Sequence, residues 1–384
     1  MSEAFVRLVR EIYAEPRAPI PLHAPVMGAL EKARVGEAID STFVSSVGAF
    51  VTGFEQAIAR FTGAKYAVAT VNGTAALHIA LLVAGVEPGD LVITQSLSFI
   101  ATCNAIHYCG AEPVFVDVDE ETLGLSPDAL RAWLEVHAER RSSGGVDRAS
   151  GRRIRACVPM HTLGHPARMD AITQVCADWG LILIEDAAES LGSYYNNQHT
   201  GTFGLLGVFS FNGNKVITTG GGGMIVTDDE ALARRARYLT TTAKKPHSWA
   251  FEHDEVGFNY RMPNLNAAFG VAQMERLPGL IASKRVVAER YAEWCRANGW
   301  HFVREPEGTR SNYWLNALRL PDAEARDAFL DATNHAGVMT RPLWAPMHRL
   351  PMYADCPCGP LAVTERLADS LVNIPSSALD NGLA

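Results

Sequence analysis

Residues 181–186 read Leu181-Ile182-Leu183-Ile184-Glu185-Asp186, an aliphatic run closed by two carboxylates. No polar residue interrupts the run, so it predicts a strand buried on both faces, as in a parallel sheet. The residues before it predict a helix over 169–179 and a strand over 155–160. Those after it predict strands over 208–211 and 223–227. Further upstream, strands over 66–71, 91–94 and 113–118 alternate with helices over 75–84 and 100–108. Apolar strands separated by helices predict an α/β fold with a mostly parallel central sheet covered on both faces. Helices over 2–14, 26–39 and 53–61 precede it. From about Pro278 the pattern turns to long helices (280–298 and 323–336) with one strand near 314–318, expected to form a smaller C-terminal α+β domain. The predicted division is 1–265 for an N-terminal arm plus the large domain, and 266–384 for the smaller one. The polar stretch 140–153, which contains Ser142-Ser143-Gly144-Gly145, is expected to be an exposed loop with solvated charge.

The 384 residues suffice for two such domains, and 48% hydrophobic with 20% charged residues is ordinary for a globular chain. A net charge of -8 opposes sequence-independent nucleic-acid binding, which needs clustered Lys and Arg. Seven scattered cysteines, an odd count, argue against a disulfide framework. Cys356 and Cys358 lack a second pair or nearby His, so no metal site is expected. No signal pattern opens the chain, and no apolar run approaches the roughly 20 residues of a membrane span. A cytoplasmic enzyme is the expectation.

Three segments carry chemistry. Asp186 ends a strand, the place where open α/β sheets bind ligands. Alone it reads as a helix cap. Lys215 closes Phe209-Ser210-Phe211-Asn212-Gly213-Asn214-Lys215, just before the glycine run 220–223, whose residues permit unusual angles and close approach. Alone it reads as a surface lysine. Asn72-Gly73-Thr74-Ala75-Ala76-Leu77 joins a strand to a helix N-terminus, where backbone N–H groups and a hydroxyl can cradle phosphate. Alone it is an N-cap, and no Walker lysine follows it. Together, a phosphate cradle, a strand-end carboxylate and a lysine suit pyridoxal phosphate. The lysine bonds the cofactor, and the carboxylate keeps the pyridine nitrogen protonated so that the ring can take up electrons.

On these residues the chain resembles the DegT/DnrJ/StrS sugar aminotransferases of aspartate-aminotransferase fold (fold type I). Ser98-Phe99-Ile100-Ala101, Glu185-Asp186-Ala187-Ala188-Glu189-Ser190 and Gly257-Phe258-Asn259-Tyr260-Arg261-Met262 extend the match across most of the large domain. The resemblance implies that Lys215 is the Schiff-base lysine and proton carrier, and that Asp186 faces the pyridine nitrogen. It places Glu189 near the ring hydroxyl, where Gln or His is common, and Phe99 on the ring face. Gly73, Thr74, Ala75 and Ser210 would bind the phosphate. Asn259 would reach the phosphate of a neighbouring subunit, implying a homodimer with shared active sites. Related chains with His at the lysine position dehydrate sugars instead, and the lysine here favours transamination.

The resemblance also implies glutamate as amino donor and a nucleotide-linked keto-deoxy sugar as acceptor, for surface glycan synthesis. Pro21-Leu22-His23-Ala24-Pro25, Ser45-Ser46-Val47-Gly48, Asn212-Gly213-Asn214-Lys215 and Arg341-Pro342-Leu343-Trp344 resemble the 4-aminotransferases of legionaminic acid, bacillosamine and perosamine synthesis. A UDP-linked 4-keto-6-deoxy-N-acetyl sugar is the expected acceptor, with GDP- and dTDP-sugars as alternatives. Arg341, His348 and Arg349 could serve a diphosphate or form a solvated basic loop. His161 and His165 are expected in structural hydrogen bonds. A lyase or dehydratase on the same fold would share Asp186 and Lys215 but consume no glutamate. A regulatory protein descended from such an enzyme lacks length here for an added DNA-binding domain.

Overall fold

The computed structural model describes residues 2–15, 17–141 and 144–379. Helices α1 (Ser2–Tyr13), α2 (Ala29–Asp40) and α3 (Ala49–Thr62) come first. The alternating region follows as β1 (Tyr66–Thr70), α4 (Gly73–Val83), β2 (Leu91–Gln95), α5 (Ala101–Tyr108), β3 (Glu112–Val116) and α6 (Pro127–His137). It continues as β4 (Ala138–Arg141), β5 (Gly144–Asp147), β6 (Arg153–Val158), α7 (Met169–Trp179) and β7 (Ile182–Asp186). Short strands β8 (Tyr194–Tyr195) and β9 (Gln198–His199) precede β10 (Leu206–Ser210), β11 (Gly223–Thr227) and α8 (Glu230–Thr240). The last third holds α9 (Asn264–Asn298), β12 (His301–Phe302), β13 (Thr309–Arg310), β14 (Asn316–Arg319), α10 (Ala323–His335), β15 (Arg341–Pro342), α11 (Ala362–Ser370) and β16 (Leu371–Ile374).

The large sheet has the order β1-β11-β10-β7-β6-β2-β3, and β11 runs antiparallel to both its neighbours. The other pairings along this path are parallel, which suits strands whose residues are buried almost throughout. Strand β7 lies mid-sheet, with Ile184 fully buried, so Asp186 emerges at a central strand end. A smaller sheet of order β12-β14-β16-β15 carries the C-terminal third.

Local sequence explains the helix ends that frame the site. Asn72 caps α4 by accepting from the Ala75 N–H at 2.8 Å, and Gly180 closes α7 in the left-handed region at φ 64. Helix α9 runs unbroken for 35 residues through Pro278 and begins earlier than the pattern change at Pro278 indicated. It packs on α2 and α3 along one part and on β12 along another.

The expected loop at 140–153 is instead a hairpin that extends the large sheet. Strand β5 pairs antiparallel with both β4 and β6, and Val146 and Asp147 are buried. The charge of Arg140, Arg141 and Arg148 is exposed as expected, whereas that of Arg152 and Arg153 is paired. Arg152 pairs with Glu112, and Arg153 reaches Asp90 at 2.6 Å. Asp147 fixes the following turn through the N–H of Ser150 at 2.8 Å. Ser142 and Ser143 lie outside the described residues.

Candidate active site

Three strand ends meet around the cradle. The ladder sets Gly223 beside Thr70 on one side and Ser210 on the other. A Cβ on Gly223 would collide with the carbonyl of Asn72, so only glycine lets the Asn72–Gly73 turn fold down at the sheet end. A Cβ on Gly73 would stand 2.9 Å from Ser210 Cβ, which measures how closely the two segments approach. At the start of α4 the N–H of Ala75 is held by the Asn72 side chain and that of Ala76 by the Asn72 carbonyl. The N–H groups of Gly73 and Thr74 have no partner among the described residues. Free N–H groups at a helix N-terminus near a hydroxyl, that of Ser210, suit an anion, whereas the Ala75 N–H is already held by Asn72.

The two carboxylates at the end of β7 part company. Glu185 is consumed by structure. It accepts from Gly201, Phe203 and Gly204 N–H groups at 2.7, 2.6 and 2.8 Å and lies 3.0 Å from His161 Nε2. His161 Nδ1 in turn accepts from Ala167 N–H at 3.1 Å, the structural role expected of it. His165 departs from that expectation. Both its ring nitrogens are buried without a hydrogen-bond partner among the described residues, and burial pulls its pKa down to about 4. Asp186 points elsewhere. Thr102 donates to its Oδ2 at 2.6 Å and the Ala188 N–H to its Oδ1 at 3.1 Å. Burial raises its pKa against these bonds and the nearby Lys215 charge. A buried carboxylate of this kind gains from a cationic N–H partner.

Glu189 is nearly fully buried and lies 3.3 Å from Lys215 Nζ, while its Oε2 accepts from the Leu163 N–H at 2.9 Å. Burial pushes its pKa up to about 7, opposed first by the Lys215 charge. Nζ also lies over the ring of Trp314, whose centroid is 3.9 Å away. Phe99 is 49% exposed and meets Trp344 edge-on at 6.4 Å, so it is no core residue and is free to face a ligand.

Asn259 is exposed, with no side-chain partner among the described residues, and bridges only Thr241 through the backbone. The segment before it exposes Trp249, Phe251 and Val256. Arg349 and His348 are bound to Glu365, and His348 also to Ser96 Oγ at 2.7 Å. Arg341 is exposed and holds Asn334 Oδ1 at 2.9 Å.

Sequence reasoning missed Thr102, Asn312 and Trp314. Thr102 had a local signal, since it stands in the first turn of the helix that follows Phe99. Asn312 and Trp314 had none.

The donor set fits pyridoxal phosphate. It combines free N–H groups at a helix N-terminus, a buried carboxylate in need of a cation, an exposed aromatic and a lysine beside a second carboxylate. The chain matches the DegT/DnrJ/EryC1/StrS aminotransferase family over residues 25–380. It is 38% identical over 335 residues to EpsN of Bacillus subtilis, named for a pyridoxal phosphate-dependent aminotransferase, covering 87% of this chain and 84% of that one. It is 37% identical over 364 residues to a GDP-perosamine synthase of Caulobacter vibrioides, covering 94% and 93%. The aminotransferase TlmJ from Streptoalloteichus hindustanus superposes with a TM-score of 0.84 at 31% identity, covering 94% of each chain. Among the described residues, no helix is long and apolar enough to cross a membrane, and no group of three or more His, Cys, Asp or Glu is placed to hold a metal ion.

Proposed function

The chain belongs to the DegT/DnrJ/EryC1/StrS aminotransferase family, a family of pyridoxal-phosphate enzymes, and from that premise we propose its acceptor and the roles of its residues. It moves an amino group from glutamate to the 4-keto carbon of a nucleotide-linked 6-deoxy sugar. The UDP-linked N-acetyl sugar expected above rests on segment resemblances alone. The likeness to a GDP-perosamine synthase supports a GDP-linked sugar, and that is the acceptor we carry forward.

The observation that carries the reading is the meeting of Lys215 with a buried carboxylate at 3.3 Å, beside a central strand end that carries a second one. When bound, pyridoxal phosphate supplies an aldehyde that takes an amine and a ring that accepts an electron pair. Lys215 would bond that aldehyde at rest. Once released, its Nζ would move the proton from the donor carbon to the cofactor carbon and, in the return half, from the cofactor carbon to the sugar carbon. Asp186 would hold the ring nitrogen protonated. Thr102 keeps that carboxylate aimed. Gly73, Thr74 and Ser210 would seat the phosphate at the head of the helix that Ala75 continues, Phe99 would cover a ring face, and Glu189, which accepts from Lys215 Nζ, would lie on the ring-hydroxyl side.

Asn259 completes the phosphate site of a second copy, and the exposed Trp249, Phe251 and Val256 beside it support a homodimer. The division into 1–265 and 266–384 is part of the same proposal. Helix α9 crosses that boundary, packing on α2 and α3 as well as on β12 of the small sheet. The cytoplasm is the compartment we propose, in keeping with the absence of a disulfide among the cysteines, all free.

The test is absorbance of the purified protein with added glutamate, followed by turnover on a panel of GDP-, UDP- and dTDP-linked 4-keto sugars with mass detection. A visible band that glutamate shifts, and that Lys215→Ala lacks, supports the reading. A colourless protein that gains no band with added cofactor sinks it.

A further inference from the structure

Lys215 Nζ rests in a bracket whose second wall has no part in the chemistry above. One wall is Glu189, and the other is the face of Trp314. Two tethers orient the indole. Its Nε1–H donates to the carbonyl of Asn214, the residue before the lysine, at 2.6 Å. Its backbone N–H donates to Asn312 Oδ1 at 2.8 Å. The same Asn312 side chain donates to the carbonyls of Glu189 and Leu191 at 2.8 and 3.0 Å. One buried amide therefore fastens both walls to each other.

The backbone is forced into place around them. Tyr313, just before the indole, has φ 47, and Leu163, whose N–H holds Glu189, has φ 59. Non-glycine residues stay in this region only where their surroundings over-determine them, and such strain gathers at functional sites. Gly164 is glycine at φ 93, and a Cβ there would collide with Asn312 Oδ1. Packing alone would bury a tryptophan in this core. It would not require the ring face under Nζ or the indole N–H on the neighbouring residue.

We propose that Trp314 is a positioning residue: its ring face, with Glu189, is the resting place of the Lys215 ammonium whenever the lysine is not bonded to the cofactor. The proposal rests on the role proposed above for Lys215, because only a lysine that alternates between bonded and free needs such a place. A freed lysine has four rotatable bonds and must return to one carbon. An ammonium is attracted to the face of an indole and a neutral amine is not, so the bracket holds the charged form and releases the amine once its proton has gone.

The test begins without the cofactor. The cofactor-free protein is treated briefly with acetic anhydride, and acetylation of Lys215 and of the exposed Lys65 is followed by peptide mass spectrometry. Trp314→Phe keeps an aromatic face, whereas Trp314→Met fills the site without one, and Trp314→Leu is a second apolar variant should the first not fold. Acetylation of Lys215 relative to Lys65 is expected to rise about tenfold in the Met or Leu variant and to stay within about threefold of wild type in the Phe variant. In the loaded enzyme the apolar variants lower kcat and leave the KM for glutamate unchanged, and the Phe variant restores kcat. An apolar variant acetylated at the wild-type rate, or Phe and apolar variants changed alike, overturns the proposal. Wild-type protein with no glutamate-dependent spectral change would overturn the aminotransferase reading instead, while the acetylation ratio would still report on the bracket.

Discussion

Replacing Glu189 by Gln tests the electrostatics of the site most directly. The carboxyl is nearly fully buried, and burial raises its pKa from 4.5 to about 7 despite Lys215 at 3.3 Å. Between those values the folded protein holds a proton that the unfolded chain has released. Stability therefore falls as pH rises through this window, and the full cost is present above it. A carboxyl displaced this far penalises its ionised form by about 3 kcal/mol, at about 1.4 kcal/mol for each pH unit. Gln keeps an oxygen for the Leu163 N–H and cannot ionise. Buried His165 and His199, both drawn down to about 4, give the opposite slope, losing stability as pH falls from 6.5. They are common to both proteins and cancel in the difference. Urea unfolding of cofactor-free protein, followed by circular dichroism from pH 4.5 to 8, should show Glu189→Gln gaining about 2–3 kcal/mol on wild type across the window. Adding Lys215→Ala removes the ammonium that holds the carboxyl down, and should extend the window upward. Parallel profiles for wild type and Glu189→Gln would refute the reasoning.

Three further perturbations probe the rest of the site. Thr102→Val removes the 2.6 Å bond to Asp186, and should slow turnover by about tenfold, at about 1.5 kcal/mol for a hydrogen bond to a charged group, with the KM for glutamate little changed in steady-state kinetics. Gly223→Ala drives a methyl into the Asn72 carbonyl, and cofactor titration should show affinity weakened by about 5- to 150-fold, in line with the roughly 1–3 kcal/mol of overpacking. Asn259→Ala should weaken cofactor retention while a mixed dimer with Lys215→Ala recovers one intact site of the two; unchanged retention and turnover would argue against the cross-subunit role.

Local chemistry was legible from the sequence, and contacts closed over long distances were not. Strand 223–227 and helix 169–179 were read to the residue, because their apolar patterns and their Gly and Asp punctuation lie within a few positions. Asp186 and Lys215 could be paired because one ends a strand and the other closely follows one. Thr102 reaches Asp186 across 84 positions, and Trp314 reaches the Asn214 carbonyl across 100. No spacing rule predicts such meetings, since the order of strands in the sheet creates them. The hairpin at 138–147 was hidden by composition. Its Gly and Arg residues suggest a loop, and only the pairing of β5 with β4 and β6 shows it to be part of the sheet. Helix α8 escaped notice because its buried face is built from Ala233, Ala236 and Leu239, a weak stripe between arginines.

Helix α9 has a consequence for how chains of this kind can vary in length. A deletion of one residue within it turns everything beyond by about 100° and draws it back by about 1.5 Å. Lys284 and Tyr291 would then leave the carbonyls of Ser376 and Pro375, which they hold against the helix. Surface turns can absorb an added or lost residue locally. Within 264–298 there is no slack to take it up, so insertions and deletions that survive should fall outside this helix.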